Sequence, residues 1–212
     1  MSPATLAVTE YCERSGAGFW AEPLNAVSNL AFVLAAVLIA RQQWRASRQR
    51  PELWLLALLA AAVGVGSFLW HTLATPWSEW ADVIPIGLFI DVFLLVYLRR
   101  VVGWSWPLVL GAFALYQAAN YAALAHLPPD LLNGSVFYLP TWLALLLLTL
   151  YGSGGRGERT PHLPVMLAIF TVSLVLRSVD MLACPVFPAG THFAWHLMNA
   201  VVLYQGMRLL AD

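Results

Sequence analysis

Seven long apolar stretches, separated by short polar connections, dominate this sequence. They run over Leu24–Ala40, Leu53–Leu73, Trp80–Leu98, Val101–Leu124, Ser135–Tyr151, Leu163–Cys184 and Thr191–Leu210. A helix needs about 20 apolar residues to cross the hydrocarbon of a bilayer, whereas a membrane barrel shows alternating segments of roughly 10 residues. The sequence therefore predicts an all-α polytopic membrane protein. Its seven-transmembrane helix bundle fills 24–210 of a single domain, 1–212, behind an outer N-terminal segment, 1–23.

Composition supports the membrane and excludes several functions. The chain is 60% hydrophobic and 10% charged, against about 45–50% and 25% in soluble domains. A net charge of +0 predicts no basic surface for nucleic acid. The absence of any lysine excludes a retinal Schiff base. The N-terminus lacks the basic and apolar regions of a cleaved signal peptide, so we expect the first apolar stretch to remain in the membrane.

Arginines alternate between the connections. They occur after the first, third and fifth stretches and close to the end of the seventh, at Arg41, Arg45, Arg48, Arg50, Arg99, Arg100, Arg156, Arg159 and Arg208. The positive-inside rule places such loops in the cytoplasm. The pattern predicts an outer N-terminus and a cytoplasmic C-terminus. The Arg, Ala and Leu bias suggests a bacterial inner membrane, with outer loops in the periplasm.

Three of the five histidines lie near the outer ends of predicted helices. His71 is near the end of the second stretch, and His192 and His196 open the seventh. Residues at i and i+4 share one helix face, so the last two can bind one metal ion, as the His pair of zincins does. With His71 from a facing helix, the pattern indicates a catalytic zinc site with one open position.

A serine and an aspartate share this layer. Ser67 precedes His71 by one helical turn, and Asp82 lies just inside the third stretch. Zinc lowers the pKa of bound water towards ~7. A nearby carboxylate can accept the proton of that water, and a hydroxyl can donate to a developing oxyanion. We therefore predict catalytic roles for Asp82 and Ser67.

Other interpretations of these residues stay open. A histidine in a membrane helix can serve packing alone, although three at one depth are typical of a functional interior. Bis-His haem takes its ligands from opposite ring faces, so His192 and His196 suit it poorly unless several haems bind. Asp82 can be a helix N-cap, and Ser67 can bond to the backbone.

The order and spacing of these motifs resemble the alkaline ceramidases, seven-helix metal hydrolases whose superfamily includes the progestin and adiponectin receptors. The family pattern is a Ser four residues before a His, an Asp eleven residues after it, and a final His-x-x-x-His. All five positions are met, at Ser67, His71, Asp82, His192 and His196. The resemblance implies that the three histidines hold zinc, that Asp82 assists the water and that Ser67 stabilises the intermediate.

The N-terminal segment is similar to the ceramidase calcium-binding segment. The resemblance implies these ligands: Glu10, the Tyr11 carbonyl, Glu13, Ser15 and Glu22. Carboxylates are the hard oxygen ligands that calcium prefers. Glu10 stands where the animal pattern has Asp, and Ser15 where it has Asn, which can weaken or reshape the site. A solvated acidic terminus is the alternative.

Two cysteines and three buried charges complete the candidates. Cys12 and Cys184 both fall on the predicted outer side, where a disulfide can form. The ceramidase resemblance implies the same pairing, and two free thiols remain the alternative. Arg177 and Asp180, at i and i+3, are predicted to form an ion pair, and Asp91 has no assigned role.

The expected function is that of a zinc-dependent amidase of lipid metabolism. The resemblance implies hydrolysis of ceramide or a related N-acyl lipid, a step in sphingolipid metabolism, to a fatty acid and an amine. A non-catalytic receptor or structural zinc protein is the alternative, although the short cytoplasmic loops argue against signalling. No obligate protein partner is evident.

Overall fold

The computed structural model describes residues 10–152 and 162–211, in which every regular element is a helix. A 3-10 helix, Ser135–Tyr138, precedes α6. The α-helices are α1 Pro23–Ser28, α2 Leu30–Arg45, α3 Pro51–Leu73, α4 Pro76–Arg100, α5 Trp106–His126, α6 Leu139–Tyr151, α7 His162–Ala183 and α8 His192–Ala211. The Arg156 and Arg159 of the topology argument lie outside these described ranges.

Proline marks the start of most helices. It occupies the first or second position of α1, α3, α4, α5 and α6, where its missing N–H would have no helical partner. Thr75 adds a capping box to α4, and Arg99 and Arg100 occupy the last turn of that helix, where cations favour the helix dipole. The sequence thus sets helix boundaries even where hydrophobicity is uniform.

Five segments are long and apolar enough to cross a membrane. They are Pro23–Arg45, Pro51–Leu73, Pro76–Arg100, Trp106–His126 and His162–Ala183, and Ser135–Tyr151 is a shorter apolar segment. The last helix has 20 residues, but His192, His196, Asn199 and Gln205 lower its hydropathy. The structure therefore supports a helical membrane protein, while the count of seven spans and the orientation of the termini stay predictions.

The helices pack into one bundle with a shared apolar core. Helix α3 lies along both α2 and α4, while α8 contacts α2, α3, α4 and α7. Ile39, Leu53, Leu56, Val109 and Met207 are wholly buried within it. The end of α3 and the starts of α1, α4 and α8 lie at the same end of the bundle. We call this the outer end, after the predicted topology.

Candidate metal centre

The three predicted metal ligands meet at the outer end. Their nearest ligand atoms lie within 4.8 Å of one another, and the ring centroids of His71, His192 and His196 are 4.6–5.2 Å apart. All three side chains are buried. In the part of the chain that the structure describes, this is the one group of His, Cys, Asp or Glu side chains placed to hold a metal ion.

Hydrogen bonds to neighbouring side chains orient two of the three imidazole rings. His71 Nδ1 lies 2.5 Å from Glu22 Oε2, and His196 Nδ1 lies 2.8 Å from Ser28 Oγ. His71 Nε2 and His192 Nδ1 are buried without a hydrogen-bond partner. Ligating imidazoles usually bond through one nitrogen to a carboxylate or another polar group and leave the other for the metal. The unpartnered nitrogens and the all-imidazole donor set fit Zn²⁺ well.

Ser67 and Asp82 flank the histidines from two different helices. Ser67 on α3 is buried, and its side chain is within hydrogen-bonding reach of the Asp82 carboxyl on α4. Asp82 Oδ1 is buried without a partner. A proton acceptor and a hydroxyl donor therefore lie at the edge of the cluster, in the layer that the sequence predicts.

A tight helix crossing creates this juxtaposition. A Cβ added to Gly66 would overlap the carbonyl oxygen of Ala81, so α3 and α4 touch backbone to backbone beside Ser67 and Asp82. Pro85 lies four residues after Ala81 inside α4 and has no N–H to donate to that carbonyl. The freed carbonyl can therefore face Gly66.

The ring of Tyr11 covers one side of the histidine cluster. It stacks on His192 with a centroid distance of 3.8 Å and lies 5.1 Å from His71. The Arg177 guanidinium donates to Tyr11 Oη at 3.0 Å and lies over the rings of Tyr11, Tyr138 and Trp195. Burial raises the pKa of the Tyr11 phenol despite that guanidinium. The ring that covers the histidines is therefore uncharged.

Among the described residues, the carboxylates of the predicted calcium ligands are not grouped closely enough to count as a metal site by themselves. Both oxygens of Glu13 accept backbone N–H groups at the start of α1, from Leu24 at 2.7 Å and Asn25 at 2.8 Å. Glu10 and Ser15 are exposed, and the Tyr11 carbonyl accepts the Arg14 N–H. The ligand set stays a prediction.

Glu22, the fifth predicted calcium ligand, bonds to protein groups instead. Its carboxylate pairs with Arg14 and accepts from Asn25 Nδ2 at 2.9 Å as well as facing His71. Burial acts to raise the pKa of this carboxyl, but the hydrogen bonds from His71 and Asn25 and the charge of Arg14 outweigh it and lower the pKa. Glu22 is thus held as a carboxylate.

The predicted ion pair between Arg177 and Asp180 is wrong. Asp180 is wholly buried, and it accepts backbone N–H groups from Cys12 at 2.9 Å, Thr191 at 2.6 Å and His192 at 2.9 Å. The two side chains diverge, because the carboxylate caps the start of α8 while Arg177 lies among aromatic rings. The i, i+3 spacing places the two residues near each other but does not decide their partners.

The Cys12–Cys184 disulfide is confirmed, with Cα atoms 5.4 Å apart. It joins the N-terminal segment to the residue that follows α7. Asp180 bonds to the same segment through the Cys12 N–H. Together they attach the N-terminal segment beside the His192 end of α8.

An apolar cavity lies in the bundle next to the site, although none of the three histidines lines it. Trp195 and Tyr138 line its outer part, and it follows α8 as far as Gly206, a distance of roughly 16 Å at 1.5 Å per residue. No charged side chain of the described residues lines it. A cavity of this character suits a hydrocarbon chain.

Several site residues escaped the sequence analysis. Ser28 and Arg14 received no role, and Glu22 was assigned to calcium rather than to His71. Asn25, Ser28 and Asn29 share i, i+3 and i+4 spacing inside an apolar stretch, which indicates a polar face turned towards a functional interior. That signal could have identified Ser28, whereas the partner of Arg14 depends on a turn that no periodicity predicts.

Comparison with known proteins gives one family. The family model described as Ceramidase matches residues 4–211, nearly the whole chain. No curated protein matches it significantly.

Proposed function

The chain belongs to the ceramidase family, and from this we propose that it is a zinc-dependent intramembrane amidase. It hydrolyses the N-acyl bond of ceramide or a related N-acyl lipid to a fatty acid and an amine. The observation that carries the proposal is the convergence of three buried imidazoles from two helices, two with unpartnered nitrogens, above an apolar cavity.

Each residue has a distinct role in this proposal. His71, His192 and His196 would hold zinc, which would lower the pKa of a bound water and polarise a carbonyl. Asp82 accepts the proton of the attacking water and returns it to the leaving amine. Ser67 donates a hydrogen bond to the oxygen of the scissile amide as negative charge develops on it.

The cavity supports a lipid substrate. A fatty acyl chain in the apolar space along α8 would place its amide near Trp195 and the histidines, at the outer end. The alternation of basic loops supports a site near the outer face of a bacterial inner membrane, and a single ceramidase-like domain, 1–212, is part of the same proposal.

The test is turnover by the purified chain on a panel of N-acyl lipids. We expect release of fatty acid that a zinc chelator stops and added zinc restores. His71→Ala should lose zinc and activity together, because it removes one of three ligands. His126→Ala is the matched control, since His126 ends α5 away from the cluster. Hydrolysis that survives the complete loss of zinc would refute the mechanism.

A non-catalytic receptor or structural zinc protein would bind zinc without hydrolysing any lipid of the panel, so the same assay separates the two classes.

Calcium is the second proposed ion, bound by the outer segment through Glu10, the Tyr11 carbonyl, Glu13, Ser15 and Glu22. Its test is the calcium content of the purified protein. A content of zero in calcium-containing buffer would end that part of the proposal.

A further inference from the structure

A buried arginine lies directly behind the metal ligand His71. The Arg14 side chain is 3% exposed and that of Glu22 is 2% exposed. Arg14 Nε donates to Glu22 Oε1, and its other nitrogens reach the carbonyl oxygens of His71 at 3.0 Å and Gly16 at 3.4 Å. The guanidinium therefore contacts both the partner of the His71 ring and the backbone of His71.

The side chains of Arg14, Glu22 and His71 contact one another in a row. Arg14 holds one oxygen of Glu22, and the other oxygen faces His71 Nδ1 at 2.5 Å. Asn25 Nδ2 donates to that second oxygen at 2.9 Å. Because His71 Nδ1 is engaged, His71 Nε2 is the nitrogen left for the metal, and it is the atom without a partner.

The buried negative charge of Glu22 needs a positive partner, and Arg14 supplies it. An ionised carboxylate inside a protein is costly unless a positive charge and hydrogen bonds balance it. A guanidinium is always charged and forms bidentate contacts. Arg14 is the permanent cation within salt-bridge distance of Glu22 in the described part of the chain. Without it, one oxygen of Glu22 loses its donor and the carboxylate is free to turn away, so the His71 ring would lose its orienting acceptor.

We propose that Arg14 is a positioning residue for the metal ligand His71, acting through Glu22 as a built-in cation, so that zinc retention does not require calcium. The proposal rests on the proposed zinc function. It also bears on the calcium prediction, because Arg14 already supplies a fixed positive charge beside Glu22, which is one of the predicted calcium ligands.

The experiment measures zinc affinity by competition with a chromogenic chelator on the full-length purified protein, with calcium omitted or added. Loss of an outer-shell partner typically weakens metal binding 10–100-fold, and we expect Arg14→Gln to fall in that range. Arg14→Lys should weaken binding less, because one ammonium keeps the charge but cannot reach both Glu22 and the His71 carbonyl. Arg45→Gln, an exposed position at the far end of α2, should match the wild type.

Cobalt substitution adds a readout that general destabilisation would not move. The visible absorption of the Co²⁺-loaded protein should change in Arg14→Gln, because the His71 ring is oriented differently. If Arg14→Gln does not fold, Arg14→Lys decides through its zinc affinity and cobalt spectrum.

Three outcomes would overturn the inference. The first is wild-type zinc affinity and an unchanged cobalt spectrum in the folded Arg14 variants. The second is zinc binding by the wild type that appears only when calcium is added. The third is a wild type that binds no zinc, which would end the proposed function as well, whereas the first two leave it standing.

Discussion

Asp180 illustrates how a single side chain holds the outer end together. Its buried carboxylate accepts N–H groups from the N-terminal segment and from the first residues of α8. A negative charge at a helix N-terminus is favoured by the helix dipole and by the free N–H groups there. The same carboxylate therefore fixes the position of His192.

We predict that Asp180→Asn lowers the thermal unfolding midpoint. The amide has one acceptor oxygen, so at least one buried N–H loses its partner, at a cost of about 1–3 kcal/mol. The matched control is Asp91→Asn on α4, a half-buried position whose charge is unfavourable in a membrane, which should keep or raise stability. Equal midpoints for Asp180→Asn and the wild type would show that the carboxylate contributes nothing.

For single residues, the prediction succeeded where a strong sequence motif was present. His71, His192 and His196 were placed together correctly from spacing and topology, because a helical period and an antiparallel bundle suffice to bring them to one end. The predicted partner of Asp180 was wrong and the partners of Glu22 and Arg14 were not predicted, because these contacts depend on turns that have no periodic signal.

The proposed catalytic pair, Ser67 and Asp82, depends on the crossing of α3 and α4. Small residues let two membrane helices approach closely, and Gly66 meets the Ala81 carbonyl at this point. The neighbours of these two residues are Ser67 and Asp82. The spacing between the hydroxyl and the carboxylate is thus set by backbone packing.

We predict that Gly66→Ala destabilises the protein by about 1–3 kcal/mol, as overpacking of a tight contact does, and lowers activity because α3 and α4 must separate. Gly111→Ala in α5 is the control. A Cβ there meets no atom within 4 Å, and alanine is favoured over glycine in a helix by about 1 kcal/mol. Thermal unfolding and turnover measure both effects. Gly66→Ala with wild-type stability would contradict the close contact.

Most helix boundaries lie within four residues of the predicted ones, and the exceptions have physical reasons. The predicted fourth stretch began at Val101, but α5 begins at Trp106, because α4 continues to Arg100 and a turn follows. The predicted first stretch is divided at Asn29 between α1 and α2. Hydropathy alone sees neither a turn of apolar residues nor a break within an apolar run.

At the scale of the whole molecule, the orientation in the membrane remains to be tested. Basic loops predict that the metal site faces outward. Exposed Ser47 and Asp130 lie in connections at opposite ends of the bundle, and both native cysteines are joined in the disulfide.

We therefore predict that a membrane-impermeant maleimide labels Asp130→Cys in intact spheroplasts and labels Ser47→Cys only after lysis. Both variants labelled after lysis control for reactivity. The reverse pattern in intact cells would place the site on the cytoplasmic face.

The proposed hydrolysis depends above all on one ion held by His71, His192 and His196. X-ray absorption at the zinc edge of the purified protein tests this directly, together with the zinc content per chain. We expect one zinc with three imidazole nitrogens at about 2.0–2.1 Å, and loss of that signal in His196→Ala. A protein without zinc, or zinc bound mainly by sulfur or carboxylate ligands, would contradict the account.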